Sequence, residues 1–129
     1  MHDIKLHVGG VELVGKLDGS ALSTQVARLL PCEDFGETWG REIYFPVRLS
    51  AANTAPVTEV KVGDIAYWPD GPDLCLFFGP TPKSQGEAPV TASPVTVIGS
   101  FSFNPDDFDR IERRRNGIHV RIERGGQGG

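Results

Sequence analysis

The stretch Val62-Gly63-Asp64-Ile65-Ala66-Tyr67-Trp68-Pro69-Asp70-Gly71-Pro72-Asp73-Leu74-Cys75-Leu76-Phe77-Phe78-Gly79-Pro80-Thr81-Pro82 reads as two strands joined by a tight turn. Gly63-Asp64 marks a turn or bulge ahead of the strand Ile65-Ala66-Tyr67-Trp68. In Pro69-Asp70-Gly71-Pro72 the first proline presets φ and Gly71 is free to take a positive value, a dense turn signal. Leu74 to Phe78 is then apolar at every position, as in a strand covered on both faces rather than one. The two strands thus form a hairpin whose outer face is covered as well. About half of the rings of Tyr67, Trp68, Phe77 and Phe78 must point away from the interior.

Upstream, Ile4, Leu6 and Val8 alternate with Lys5 and His7. Gly9-Gly10 supplies a two-residue turn, and Val11, Leu13 and Leu17 continue the period on a return strand. Leu22, Val26, Leu29 and Leu30 recur at helical spacing, with Ser20 as N-cap and Pro31 as the stop. A helix this short is marginal alone and must lie on the rest of the fold. Cys32 to Gly40 reads as a loop carrying Phe35 and Trp39. Arg41 to Phe45 reads as a strand that Pro46 weakens or bends, and Glu59 to Val62 as another.

Downstream, Gly79 to Pro94 reads as a long surface loop, and Val95 to Phe103 as a long strand with a bend at Gly99. Asn104-Pro105 opens a helical turn, with Asn104 as its cap. Ile118, Val120 and Ile122 alternate with His119, Arg121 and Glu123 in a last strand after an Asn116-Gly117 turn. Residues 1–124 are expected to form one domain and residues 125–129 a flexible Gly-rich tail.

A chain of 129 residues suffices for one core without metal or disulfide staples, and 16 Gly with 10 Pro favour turns over long helices, hence an all-β fold. A net charge of −4 offers no global field for nucleic acid or anionic lipid, so neither partner is expected. The one basic cluster, Arg110 with Arg113 to Arg115, sits among Asp106, Asp107, Asp109 and Glu112 and reads as an internally paired turn. Cys32 and Cys75 have neither metal nor redox spacing, and no leader or apolar span is visible, so a cytoplasmic protein is expected. His7 and His119 face outward without a carboxylate companion in the sequence pattern, and no metal or other cofactor is expected.

Three blocks in order, Trp39-Gly40-Arg41-Glu42-Ile43-Tyr44-Phe45, then Val62 to Pro69, then Cys75 to Pro82, with Pro94 to Gly99 behind them, resemble a family of small bacterial and archaeal cyclophilin-like proteins. The resemblance spans most of the chain from the helix onward. It implies a closed antiparallel barrel of about eight strands with one or two short helices capping its ends, a shape shared with peptidyl-prolyl isomerases.

Prolyl isomerisation lowers an amide-resonance barrier of roughly 20 kcal/mol. It calls for an apolar proline pocket and a donor, typically Arg, at the twisted amide nitrogen. Cyclophilins carry a Phe-His-x-Val-Ile-like block with the catalytic Arg, a Gln-Gly-Gly-Asp block, and a distal Trp and His. None of these stands in this sequence. The reading is therefore a peptide or small-molecule binding module lacking the usual isomerase site. The alternatives are an isomerase with a rearranged site, or a stand-alone subunit of an amide- or lactam-hydrolysing complex with a protein partner.

Whether the chain is an enzyme stays open at this point, and no catalytic residue is assigned. The ligand-binding candidates are Trp39, Arg41, Glu42, Tyr44, Phe78 and Thr81. Glu42 and Tyr44 share a strand face at period two, with Trp39 just upstream, and so offer one charge, one hydroxyl and a flat wall. Set against this, the plainer reading has Glu42 solvated and Tyr44 a core residue with its hydroxyl at the rim. Arg41 is the candidate isomerase donor, or else an exposed residue paired across a strand with a carboxylate. Thr81, between two prolines at a strand end, is a candidate contact or a simple turn residue.

Overall fold

The computed structural model describes residues 2–125. In chain order the elements are β1 (His2–Val8), β2 (Val11–Leu17), α1 (Ala21–Ala27), β3 (Cys32–Trp39), β4 (Glu42–Pro46), β5 (Val57–Glu59), β6 (Asp64–Trp68), β7 (Asp73–Phe77), β8 (Val90–Ser102), a 3-10 turn (Phe108–Arg110) and β9 (Ile118–Arg124). Eight strands close on themselves in the order β2-β1-β9-β3-β4-β7-β6-β8, with β8 pairing back onto β2. Every pairing is antiparallel, so this is the closed all-β barrel expected from the sequence. The ninth strand, β5, lies outside that circuit and pairs with β8 alone.

Closure follows from alternation. Ile4, Leu6 and Val8 of β1, Ile43 and Phe45 of β4, Ile65 and Tyr67 of β6, Leu74 and Leu76 of β7, and Ile118, Val120 and Ile122 of β9 all bury into one core. Gly9 and Gly10 take φ of +52° and +86° in the first hairpin turn, as the sequence requires. Ser20 caps α1 by accepting from the Ser23 N–H, and the helix buries Leu22, Val26 and Ala27 in the barrel core. The helix ends at Ala27, short of the apolar spacing that runs on to Leu30, and the Arg124 guanidinium donates to the Ala27 carbonyl at 2.9 Å. No helix among the described residues is long and apolar enough to cross a membrane.

Several local expectations are corrected. Residues 32–39 are strand, not loop: β3 pairs with both β9 and β4. Its polar sequence hid it, because Glu33, Asp34 and Glu37 break any apolar alternation. The segment up to Pro94 is not loop throughout either. β8 begins at Val90, and its polar first half pairs with β5, while Val60 to Val62 lie outside β5. The 3-10 turn is held by Asp107, whose carboxylate accepts from the Asn104 N–H at 2.7 Å, and not by an Asn104 side-chain cap. His7 and His119 each have a carboxylate companion after all, Glu123 at 2.5 Å and Glu33 respectively. Gly125 N–H bonds the Asp3 carbonyl at 2.8 Å, and the remainder of the expected tail, residues 126–129, lies outside the described residues.

β8 decides the shape of one side of the molecule. Its second half belongs to the wall, between β6 and β2, while Val90 to Val95 runs beyond the wall with β5. Within the wall half, between Val97 and Gly99, the strand carries a register shift opposite Ile65 and Ala66. Gly99 sits there because a Cβ would stand 2.2 Å from the Lys16 carbonyl oxygen. The β5–β8 ribbon covers the outer face of β6 and β7. A second small core of Val60, Ala66, Cys75, Phe77 and Val95 forms beneath it. That cover accounts for the unbroken apolar run of β7: Leu74 and Leu76 face the barrel core, Cys75 and Phe77 the second one.

Candidate functional site

The outer face of β4, β7 and the end of β3 carries the polar chemistry that the second core leaves uncovered. Register builds it row by row. Trp39 stands opposite Glu42 and Glu42 opposite Phe77, while Glu37 stands opposite Tyr44 and Tyr44 opposite Cys75. On the far side Ala66 is opposite Cys75 and Trp68 opposite Asp73. Side chains two apart share a face, so the Trp39, Glu42, Tyr44, Cys75 and Trp68 side chains all rise from one side of the wall.

Between this wall and β8 lies a cavity of about 200 Å³. Glu42, Tyr44 and Cys75 form its floor, Trp39 and Trp68 flank it, and Thr91, Ala92 and Val95 come from the ribbon. Tyr44 and Trp68 meet edge to face, with ring centroids 6.3 Å apart and planes at 77°. Trp68 is fixed by its indole N–H, which donates to Ser93 Oγ at 2.5 Å, and Ser93 in turn donates to the Asp70 carboxylate at 2.7 Å.

The electrostatics are one-sided. Glu42 is only 6% exposed. Burial pushes its carboxyl up to about 7, the hydrogen bond from Cys75 opposes this, and the nearby Asp73 adds to it. Burial also raises the Cys75 thiol well above its ordinary value, with Glu42 and Asp73 reinforcing the effect, so the thiol keeps its proton and donates it. Asp73 is raised by burial and by Asp34, and the Tyr44 hydroxyl by burial and then by Glu37, Asp73, Glu42 and Cys75. Among the described residues no Lys, Arg or His lines the cavity. Thr91 is 3% exposed, and its Oγ1 is the one buried side-chain polar atom among the described residues with no hydrogen-bond partner. An unpaired buried hydroxyl costs free energy that a bound group can recover.

Of the six sequence candidates, the structure brings Trp39, Glu42 and Tyr44 together in this cavity. Arg41 points elsewhere: its guanidinium lies 4.4 Å from the centre of the Phe108 ring and 4.0 Å from the Asp109 carboxylate. Phe78 is buried in the barrel core against the rings of Phe101, Phe103 and Phe108, at 4.9, 4.9 and 5.3 Å. Thr81 is buried, with its hydroxyl donating to the Val90 carbonyl at 2.5 Å and accepting from the Lys83 N–H at 3.2 Å. It therefore anchors the start of β8, the strand that roofs the cavity.

Trp68, Cys75 and Thr91 were not among the candidates. For Trp68 and Cys75 a signal exists, since each takes the outward position of a strand whose other face is core. Thr91 has none, because its place depends on where β8 crosses the wall. Among the described residues no group of three or more His, Cys, Asp or Glu is placed to hold a metal ion.

A family model described as Cyclophilin-like matches residues 2–123. No curated protein matches the chain. Among solved structures, the chain is similar to the hypothetical protein AF2241 from Archaeoglobus fulgidus, determined in solution, with a TM-score of 0.70 and 28% identity over 96% of this chain and 95% of that one. It is similar also to McbB in complex with tryptophan, with a TM-score of 0.71 and 16% identity over 96% of this chain and 45% of McbB. At that identity the second likeness is one of fold, and the chain spans less than half of McbB.

Proposed function

The chain belongs to the cyclophilin-like family, and on that premise we propose that it is a binding domain which takes a small organic ligand in the cavity between the outer wall of the barrel and the start of β8. The observation that carries this reading is that a buried Glu42 carboxyl and an unpartnered Thr91 hydroxyl line one recess together with two tryptophans. A purely structural surface would replace both polar groups by apolar ones, since burying them without full pairing is unfavourable. A few convergent polar groups in an apolar, aromatic-lined recess are the usual composition of a ligand site.

Binding is favoured over isomerisation because Arg41, the candidate donor, is held against Phe108 and Asp109 and does not line the cavity. That McbB is known in complex with tryptophan is compatible with a ligand site on this fold and supports nothing finer.

Chemical-shift mapping tests the proposal. Small single-ring probes such as cyclohexylmethanol and phenol are titrated into the labelled protein to millimolar concentration. Saturable shifts at both indole N–H groups and the amides of Glu42, Tyr44 and Thr91 to Val95 are expected for at least one probe. Shifts scattered over the surface, or none, would end this reading.

A further inference from the structure

The class of ligand rests on the binding site proposed above, and the chemistry of the cavity narrows it. A carboxylate presents about four acceptor positions, and the Glu42 group receives one hydrogen bond, from Cys75. The titratable groups that face it are Glu37 from β3, Tyr44 from its own strand, and Asp73 and Cys75 from β7. The rest of the cavity lining from β6 and β8 is Trp68, Thr91, Ala92 and Val95, none of them charged. Of the titratable groups, those that carry charge near neutral pH are all carboxyls, so an anionic ligand meets a field of its own sign with no cation to offset it, largely out of water.

The walls have a matching preference. The faces of tryptophan and tyrosine attract a cation held within about 6 Å, more strongly when water is excluded. Tyr44 and Trp68 stand nearly perpendicular and form two sides of such a box, and Trp39, across the strand pair from Glu42, supplies a third ring. The unpaired Thr91 hydroxyl offers an acceptor for an N–H. The cavity, at about 200 Å³, is smaller than the usual range for drug-sized ligands, which limits the guest to a single ring or a short chain.

We infer that the ligand is a small organic cation, an ammonium group on a short apolar stem, with its charge against Glu42 and its stem among Trp39, Tyr44 and Trp68. The cation supplies the countercharge that the fold withholds from Glu42. Binding therefore favours the ionised carboxyl, and affinity rises with pH through the neutral range.

The only tryptophans of the chain are Trp39 and Trp68, and both line the cavity, so tryptophan fluorescence, excited where tyrosine does not absorb, reports on this site alone. Three probes of one shape that are transparent at the excitation wavelength separate the classes: cyclohexylmethylammonium, cyclohexylmethanol and cyclohexanecarboxylate. At mildly alkaline pH the cation is expected to bind about tenfold or more tightly than the alcohol, with the carboxylate weakest. The advantage should shrink at mildly acidic pH and disappear in Glu42→Gln. Should that variant fail to fold, the comparison of probes at two pH values on the unaltered protein stands by itself.

Nα-acetyl-lysine methylamide, run beside them, assigns the source as a peptide side chain if it outcompetes the free amine. If the alcohol or the carboxylate binds as tightly as the cation, the cation class is overturned while the site survives. Silence from all three also overturns it, and the chemical-shift mapping then decides separately whether a site exists.

Discussion

Trp39 and Glu42 stand directly opposite one another in the β3–β4 pair and line the same cavity. The two residues at the mouth of one tight turn thus set an aromatic ring beside a buried carboxyl on the outside of a barrel. The barrel core gains nothing from this pair. The free energy of holding Glu42 there is met by the rest of the fold, as is common where a site needs a group its surroundings disfavour.

The first consequence is a pH dependence with a definite sign. In the unfolded chain the Glu42 carboxyl ionises near 4.5, and in the fold near 7. Between those values the folded state retains a proton that the unfolded state has lost. The contribution of Glu42 to stability therefore falls as pH rises through this window and stays low above it, by about 3 kcal/mol in total. Glu42→Gln removes the titration. Urea unfolding at several pH values should show the variant gaining on the unaltered protein up to neutral pH, and parallel curves would contradict the placement of the carboxyl.

Thr91→Val should stabilise the domain. Its Oγ1 is buried without a partner, and valine has the same shape without the polar group. A gain of about 1 kcal/mol is expected in the unfolding free energy. Under the binding reading the same substitution weakens the ligand, so a variant that is both more stable and poorer at binding is the anticipated combination.

Thr81→Val should do the opposite. The hydroxyl ties the Gly79–Pro82 turn to Val90, and its loss leaves the part-buried Val90 carbonyl and the Lys83 N–H without this partner. A cost of about 1–3 kcal/mol is expected. Hydrogen exchange should quicken first at the start of β8, over Val90 to Val95, while β1 and β9 keep their protection. Uniform loss of protection would show that Thr81 supports the whole barrel rather than its roof.

Gly99→Ala tests the closure of the barrel. The added methyl group would meet the Lys16 carbonyl, a backbone atom that cannot swing aside, at the point where Leu17 pairs with Gly99. Overpacking of this kind costs roughly 1–3 kcal/mol, read as a lower denaturant midpoint. A neutral substitution would mean that β8 and β2 separate more easily at this seam than the register implies.

Local patterns alone carried much of the fold. The apolar run of β7 announces a strand covered on both faces, and Tyr67 and Phe78 do face the barrel core while Trp68 and Phe77 face the second one. Glu42 and Tyr44 share a face with Trp39 upstream, as period two requires. These features are legible because side-chain direction in a strand is fixed by the residue's own position in the chain.

Only the tertiary structure decided what covers that face. The ribbon of β5 and the first half of β8 is polar and irregular in sequence, and β3 is hidden by Glu33, Asp34 and Glu37, so neither carries a periodic signal. The burial of Glu42, the placing of Thr91 in the same cavity and the diversion of Arg41 to Phe108 all depend on which distant strands become neighbours when the barrel closes. Alternation assigns a residue to a side of the sheet. The company it keeps there is set by non-local pairing, which no short stretch of sequence contains.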